Sequence, residues 1–194
     1  MSGAISLIVG LGNPGAQYEQ TRHNAGFWFL DALARVYGGQ FRSEAKFFGD
    51  VCKLAVDGQQ VWLQKPNTFM NRSGQAVSAL AKFYKIPLAN ILVVHDELDL
   101  APGVARLKKG GGHGGHNGLR DIAAQMGGKD YYRLRLGIGH PGVGRDVSAF
   151  VLGRAPSSEE RLIDDAMAEA QAVLPLVLSG EFEKAMNGLH SATK

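Results

Sequence analysis

Ile5-Ser6-Leu7-Ile8-Val9-Gly10-Leu11, closed off by Gly12 and Pro14, is the stretch on which the fold turns. It is short, apolar and rich in β-branched residues, and reads as a buried first strand. Asn90–His95 carries a second such run, Ile91-Leu92-Val93-Val94, apolar without alternation. Strands of this kind belong in parallel sheets covered by helices on both faces. Helical patterns follow each strand. One runs from about Ala25 to Tyr37 and stops at Gly38-Gly39, a C-cap signal. Another spans Ser73 to Tyr84, and a third Asn117 to Met126, with Asn117 as its N-cap and Gly127 just past its end. Phe48–Val56 and Gln60–Gln64 flank Asp57-Gly58, a strong hairpin signal. Tyr131–Gly139 reads as a last strand, preceded by a basic glycine loop, Lys108–Gly115. Beyond Pro156 the pattern is helical, with breaks expected near Pro175 and Gly180. The expectation is an α/β fold. It is a single three-layer domain over residues 1–194, with a mixed, mainly parallel central sheet flanked by helices and a helical C-terminal part.

Composition sets bounds on function. Hydrophobic residues make up 45% of the 194 and charged ones 20%, ordinary values for a chain with a real core. No apolar run approaches the ~20 residues of a membrane span. Met1–Ile5 lacks the basic start of a secretory signal. Cys52 is the only cysteine, which excludes an intrachain disulfide and suits a reducing compartment. A cytoplasmic protein without a membrane partner is expected. The net charge of +3 is unevenly spread: residues 106–154 carry nine Lys/Arg against three Asp/Glu, and residues 155–194 carry three against seven. Such a basic block can steer an anionic partner.

In open α/β sheets functional groups gather beyond the carboxyl ends of the strands. Asn13, Asn67 with Asn71, Asp96, and His116-Asn117 all fall there. His23 lies just before the first helix, and imidazole is the side chain whose ordinary pKa suits proton transfer near neutrality. Asp96 ends a buried strand, where a carboxylate needs a partner. A carboxylate on one imidazole nitrogen fixes the tautomer and leaves the other to take a proton from water. G-x-S-x-G is absent, so activated water is the simpler nucleophile. Asn13, Asn71 and Asn117 add neutral amides that suit an ester carbonyl or a peptide backbone. Lys108, Lys109, Arg133, Arg135 and Arg145, around the glycine loop, make a phosphate track. The bland readings are turn and capping roles for the amides and outward-facing strand positions for Arg133 and Arg135. His113 and His116 are conceivable metal ligands, but no third ligand follows from spacing, and neither metal nor cofactor is expected. Gly10-Leu11-Gly12-Asn13-Pro14-Gly15 matches a dinucleotide-binding pattern. The next helix starts only after His23, however, and the ribose-binding acid is missing, since Asp31 falls inside a helix.

Five ordered motifs carry a resemblance. They are Val9–Gly15 with Tyr18 and Thr21–Gly26, then Lys65–Gly74, His95–Asp99, Gly114–Leu119, and Gly137–Gly142. Together they resemble the bacterial peptidyl-tRNA hydrolase family. The resemblance implies hydrolysis of the ester between a peptide and the terminal ribose of tRNA. His23 would be the base, Asp96 its partner, and Asn13 the residue that tells blocked from free aminoacyl groups. It implies substrate contacts from Tyr18, Phe69, Asn71, His116 and Asn117, and contacts to the tRNA acceptor arm from Lys108 and Arg135. It further implies a metal-free monomer with no obligate protein partner. Two other classes compete: a non-catalytic RNA-binding module and a nucleotide-cofactor enzyme.

Overall fold

The computed structural model describes residues 4–194; the N-terminal residues 1–3, on which the expected lack of a basic leader partly rests, lie outside it. Seven strands form one sheet in the order β2-β3-β4-β1-β5-β7-β6. They are β1 (Leu7–Gly10), β2 (Arg42–Glu44), β3 (Gly49–Val56), β4 (Gln59–Pro66), β5 (Ile91–Glu97), β6 (Ala105–Lys109) and β7 (Tyr132–Gly137). The helices are α1 (Ala25–Tyr37), α2 (Ser73–Phe83), α3 (Asn117–Met126), α4 (Val147–Val151), α5 (Ser157–Leu178) and α6 (Phe182–Ala192). The four central strands, β4, β1, β5 and β7, pair in parallel. Antiparallel pairing is confined to the two margins.

The uninterrupted apolar runs are explained by burial on both faces. Leu7, Val9, Ile91 and Val93 pack with Val77, Leu80, Leu119 and Ile122 of α2 and α3. Ile8, Leu92 and Val94 pack with Phe29, Leu30 and Leu33 of α1 and with Ile163, Ala170 and Leu174 of α5. Successive strand side chains point to opposite faces, so a doubly covered strand must be apolar throughout.

Helix α1 lies tight against the sheet because two glycines meet there. A Cβ on Gly10 would stand 2.4 Å from the Gly26 carbonyl oxygen, and one on Gly26 would stand 2.4 Å from Leu11 N and Val94 O. Gly10 at the end of β1 and Gly26 in α1 therefore serve strand–helix contact. Gly26→Ala pushes backbone against backbone, so it is expected to cost at least the ~1–3 kcal/mol typical of core overpacking. Denaturant unfolding of the variant measures this, and an unchanged midpoint would contradict the packing.

Several sequence expectations need correction. Lys108 and Lys109 belong to strand β6 instead of a glycine loop. Lys108 stands opposite Arg133, and Arg106 opposite Arg135, so four cations share one sheet face. Strand β2 and the short α4 were not expected. Helix α5 runs through Pro175 without a break. The N-cap of α3 is His116, not Asn117: its side chain accepts from the Gly118 and Leu119 amides. Strand β6 forms the sheet margin, and α6 closes it. The Ala105 and Leu107 N–H groups donate to Thr193 Oγ1 at 3.1 Å and His190 Nε2 at 3.0 Å, and Thr193 Oγ1 donates back to the Ala105 carbonyl.

Candidate active site

The site is built where β1 and β5 end. The chain leaves β1 into the loop bearing Asn13, makes a first 3-10 turn at Ala16–Tyr18 and a second at Arg22–Asn24, and enters α1. Asn24 locks that turn to the loop. Its Oδ1 accepts from the Asn13 N–H at 2.8 Å, and its Nδ2 donates to the Asn13 carbonyl at 3.0 Å. His23 is thereby fixed beside the end of β5, where Asp96 projects. Both are buried, at 9% and 3% exposed.

His23 Nδ1 lies 2.9 Å from Asp96 Oδ2 and 3.0 Å from Oδ1. His116 Nε2 approaches the same carboxylate, 2.9 Å from Oδ1. The tautomers follow from the remaining bonds. His116 Nδ1 accepts from the Gly118 amide at 3.1 Å, so the His116 proton sits on Nε2 and is donated to Asp96. An ionised Asp96 only accepts, so His23 donates from Nδ1 and its Nε2 is the proton-free nitrogen. Burial works against ionising Asp96, but the facing His23 and His116 rings and their N–H bonds outweigh it and hold the carboxyl well below the usual carboxylate range. Burial likewise lowers the pKa of His23, and the Asp96 charge and hydrogen bond overcome that and raise it. His95, wholly buried, is pushed well below its ordinary value by burial and by the neighbouring His116. Its Nδ1 donates to the Asp96 carbonyl, so it braces the strand end.

A cleft of about 350 Å³ opens on this group. Asn13, His23, Phe69, Asn71, Asp96, His116 and Asn117 all line it. Asn13 Oδ1 accepts from the Met70 N–H at 2.7 Å, which leaves its Nδ2 as a donor. Phe69 is 60% exposed at the cleft, with Tyr18 edge-on to it at 6.5 Å between centroids. Lys108 and Arg135 stand apart from the cleft lining: Lys108 is exposed on β6, and Arg135 Nε donates to Glu97 Oε1 at 2.9 Å. Arg133 is buried and donates to the Gly112 carbonyl, so it braces the glycine loop instead of facing outward.

His23, Asp96 and His116 bring their ligand atoms within 4.8 Å of one another, close enough to hold a metal ion. The third ligand that spacing failed to indicate is thus Asp96, and the second histidine is His23, not His113. Coordination through His116 Nε2 would move its proton to Nδ1, against the two amides it caps. The donor set therefore fits hydrogen bonding better than a metal. Sequence reading missed Glu97, His95 and the apolar wall Val147, Val151 and Leu152. Adjacency to Asp96 was a usable signal for the first two. The wall comes from a five-residue helix with no periodic signature.

A buried imidazole–carboxylate pair at the carboxyl edge of an α/β sheet, open to a cleft, is the equipment of an enzyme that works by proton transfer. Comparison with known proteins narrows the class. Residues 7–194 match the family described as Peptidyl-tRNA hydrolase. The peptidyl-tRNA hydrolase of Neisseria meningitidis is 58% identical over 98% of this chain and 100% of its own length. That of Pseudomonas syringae pv. tomato is 59% identical over 97% of each. The crystal structure of peptidyl-tRNA hydrolase from Acinetobacter baumannii superposes with a TM-score of 0.95 at 52% identity, covering 98% of this chain and 96% of that one. The chain belongs to the peptidyl-tRNA hydrolase family.

Proposed function

We propose that residues 1–194 act as one unit that hydrolyses the ester between a peptidyl, or N-blocked aminoacyl, group and the terminal ribose of tRNA, releasing tRNA for reuse. The observation that carries this reading is the 2.9 Å contact of His23 Nδ1 with Asp96, which leaves Nε2 as the free base. Water loses a proton to Nε2 as its oxygen attacks the ester carbonyl. The imidazolium so formed is stabilised by Asp96 and returns the proton to the departing ribose oxygen. Asn13 Nδ2 is a donor without acceptor capacity in this setting. It suits the carbonyl of an N-acyl group and offers nothing to a free ammonium. Asn71 and Asn117 hold the rest of the acyl backbone, and His116 keeps Asp96 in place. The Phe69 and Tyr18 rings offer stacking for the terminal bases. Lys108 and Arg135, on the four-cation face, meet the phosphates of the acceptor arm. No helix among the described residues is long and apolar enough to cross a membrane. A monomer working in the cytoplasm fits this reading.

The test compares N-acetyl-aminoacyl-tRNA with free aminoacyl-tRNA, with EDTA present. Cleavage of the blocked substrate alone is expected, and persistence of both substrates would refute the reading. In Asn13→Ala the preference should narrow by about fivefold, the equivalent of one neutral hydrogen bond of ~1 kcal/mol. Unaltered discrimination would remove Asn13 from selection.

A further inference from the structure

Arg22 precedes His23 in the chain and is 9% exposed. Its guanidinium carbon sits 3.9 Å above the centre of the Phe150 ring, and Nη1 donates to the Phe150 carbonyl at 2.9 Å. The Arg22 backbone N–H donates to the Gly153 carbonyl at 3.0 Å. None of the ion pairs among the described residues involves Arg22, and its buried Nε has no partner. Burying a guanidinium without a carboxylate is costly, so what it holds matters.

It holds one wall of the cleft. Val147, Ser148, Val151 and Leu152 line the cavity, and all belong to α4 or the residue after it. A five-residue helix has no stability of its own. The approach to α4 makes few contacts of its own: Gly139, Gly142 and Gly144 take positive φ, and Val143 is fully exposed. Arg22 thus ties this wall to the residue beside the expected base, by stacking and by two hydrogen bonds.

We propose that Arg22 is a positioning residue: it sets the span between His23 and the wall Val147–Leu152, and so the acyl side chains that the cleft accepts. This rests on the reading that the ester is cleaved in this cleft. The side chain of the esterified residue would lie on Val147, Val151 and Leu152. A bulky apolar group gains from a fixed wall, whereas a glycyl group has nothing to place there.

Arg22→Met keeps the apolar stem and removes the fork. It should raise KM for N-acetyl-phenylalanyl-tRNA by about tenfold, the low end of what an apolar pocket contributes. KM for N-acetyl-glycyl-tRNA should change by less than about twofold on the same grounds, and kcat for either substrate should fall less than the phenylalanyl KM rises. Amide hydrogen exchange across residues 147–153 should quicken. Arg22→Lys keeps a cation over the ring and should recover part of the split. Equal KM changes for both substrates, or unchanged exchange at 147–153, would overturn the assignment. Should Arg22→Met fail to fold, Phe150→Leu removes the ring and leaves Arg22 in place. It must reproduce the same split, and parental KM values on both substrates would refute the latch. The exchange measurement needs no catalysis. Absence of any cleavage would therefore sink the reading of the cleft, while exchange alone still decides the latch.

Discussion

Replacing His23 with alanine is expected to slow cleavage of N-acetyl-aminoacyl-tRNA by roughly 10²–10⁴-fold, the range a positioned general base supplies. Binding should persist, because the imidazole is small, 9% exposed, and one of many groups along the cleft. The loss should therefore appear in kcat with KM nearly constant, the pattern of an interaction made chiefly in the transition state. Single-turnover kinetics with a parallel tRNA-binding measurement would check this. A variant that cleaves at close to the parental rate would show that the proton leaves by another route. The fold should survive, since His23 packs at the end of the sheet and not within either apolar cluster.

Asp96→Ala is the second large effect, and its signature lies in pH. The carboxylate raises the His23 pKa against the lowering effect of burial. Only proton-free His23 can act as base, so the parental rate climbs as pH rises through that raised value. With the charge removed, burial alone remains, and the acidic limb of the profile should move to lower pH. The plateau should fall by roughly 10²-fold or more, because neither tautomer nor ring orientation is then fixed. Stability follows the opposite sense for the two partners. The raised His23 pKa contributes stability in full below about 6.5, and this is lost as pH rises through the folded value. The depressed Asp96 pKa contributes above about 3.9 and is lost as pH falls through its folded value. The acid limb in Asp96→Ala decides the case: if it stays put while the rate falls, Asp96 acts on something other than the base.

Much of this was legible in the residues. The runs around Leu7–Gly10 and Ile91–Val94 announced doubly covered parallel strands, and both lie at the centre of the sheet. Asp57-Gly58 marked a hairpin, and both residues take the positive φ that such a turn needs. What escaped was short or contested. Arg42-Ser43-Glu44 is three polar residues long and forms a strand only because β3 lies beside it. Ala105–Lys109 alternates as a margin strand should, but its two lysines run straight into the glycines, and in sequence nothing separates them from that loop. Pro175 costs a helix interior about 3 kcal/mol, yet Leu174, Val177 and Leu178 are seated in the core and hold the turn. For the site, sequence could name His23 and Asp96 but could not join them. The contact spans 73 positions and depends on where α1 docks. Nor could it show that His116 serves two masters, capping α3 through one nitrogen and holding Asp96 through the other.

The closure of β6 by Thr193 and His190 bears on how copies of this chain meet. An open margin strand presents a ladder of free amides on which another sheet can grow, the usual start of domain exchange and fibrous aggregation. Here a helix supplies side-chain oxygen and nitrogen at the positions where a foreign strand's carbonyls would dock. Chains concentrated side by side in a crowded compartment find that template already taken, and the last helix acts as a guard on solubility as well as a cover for the core.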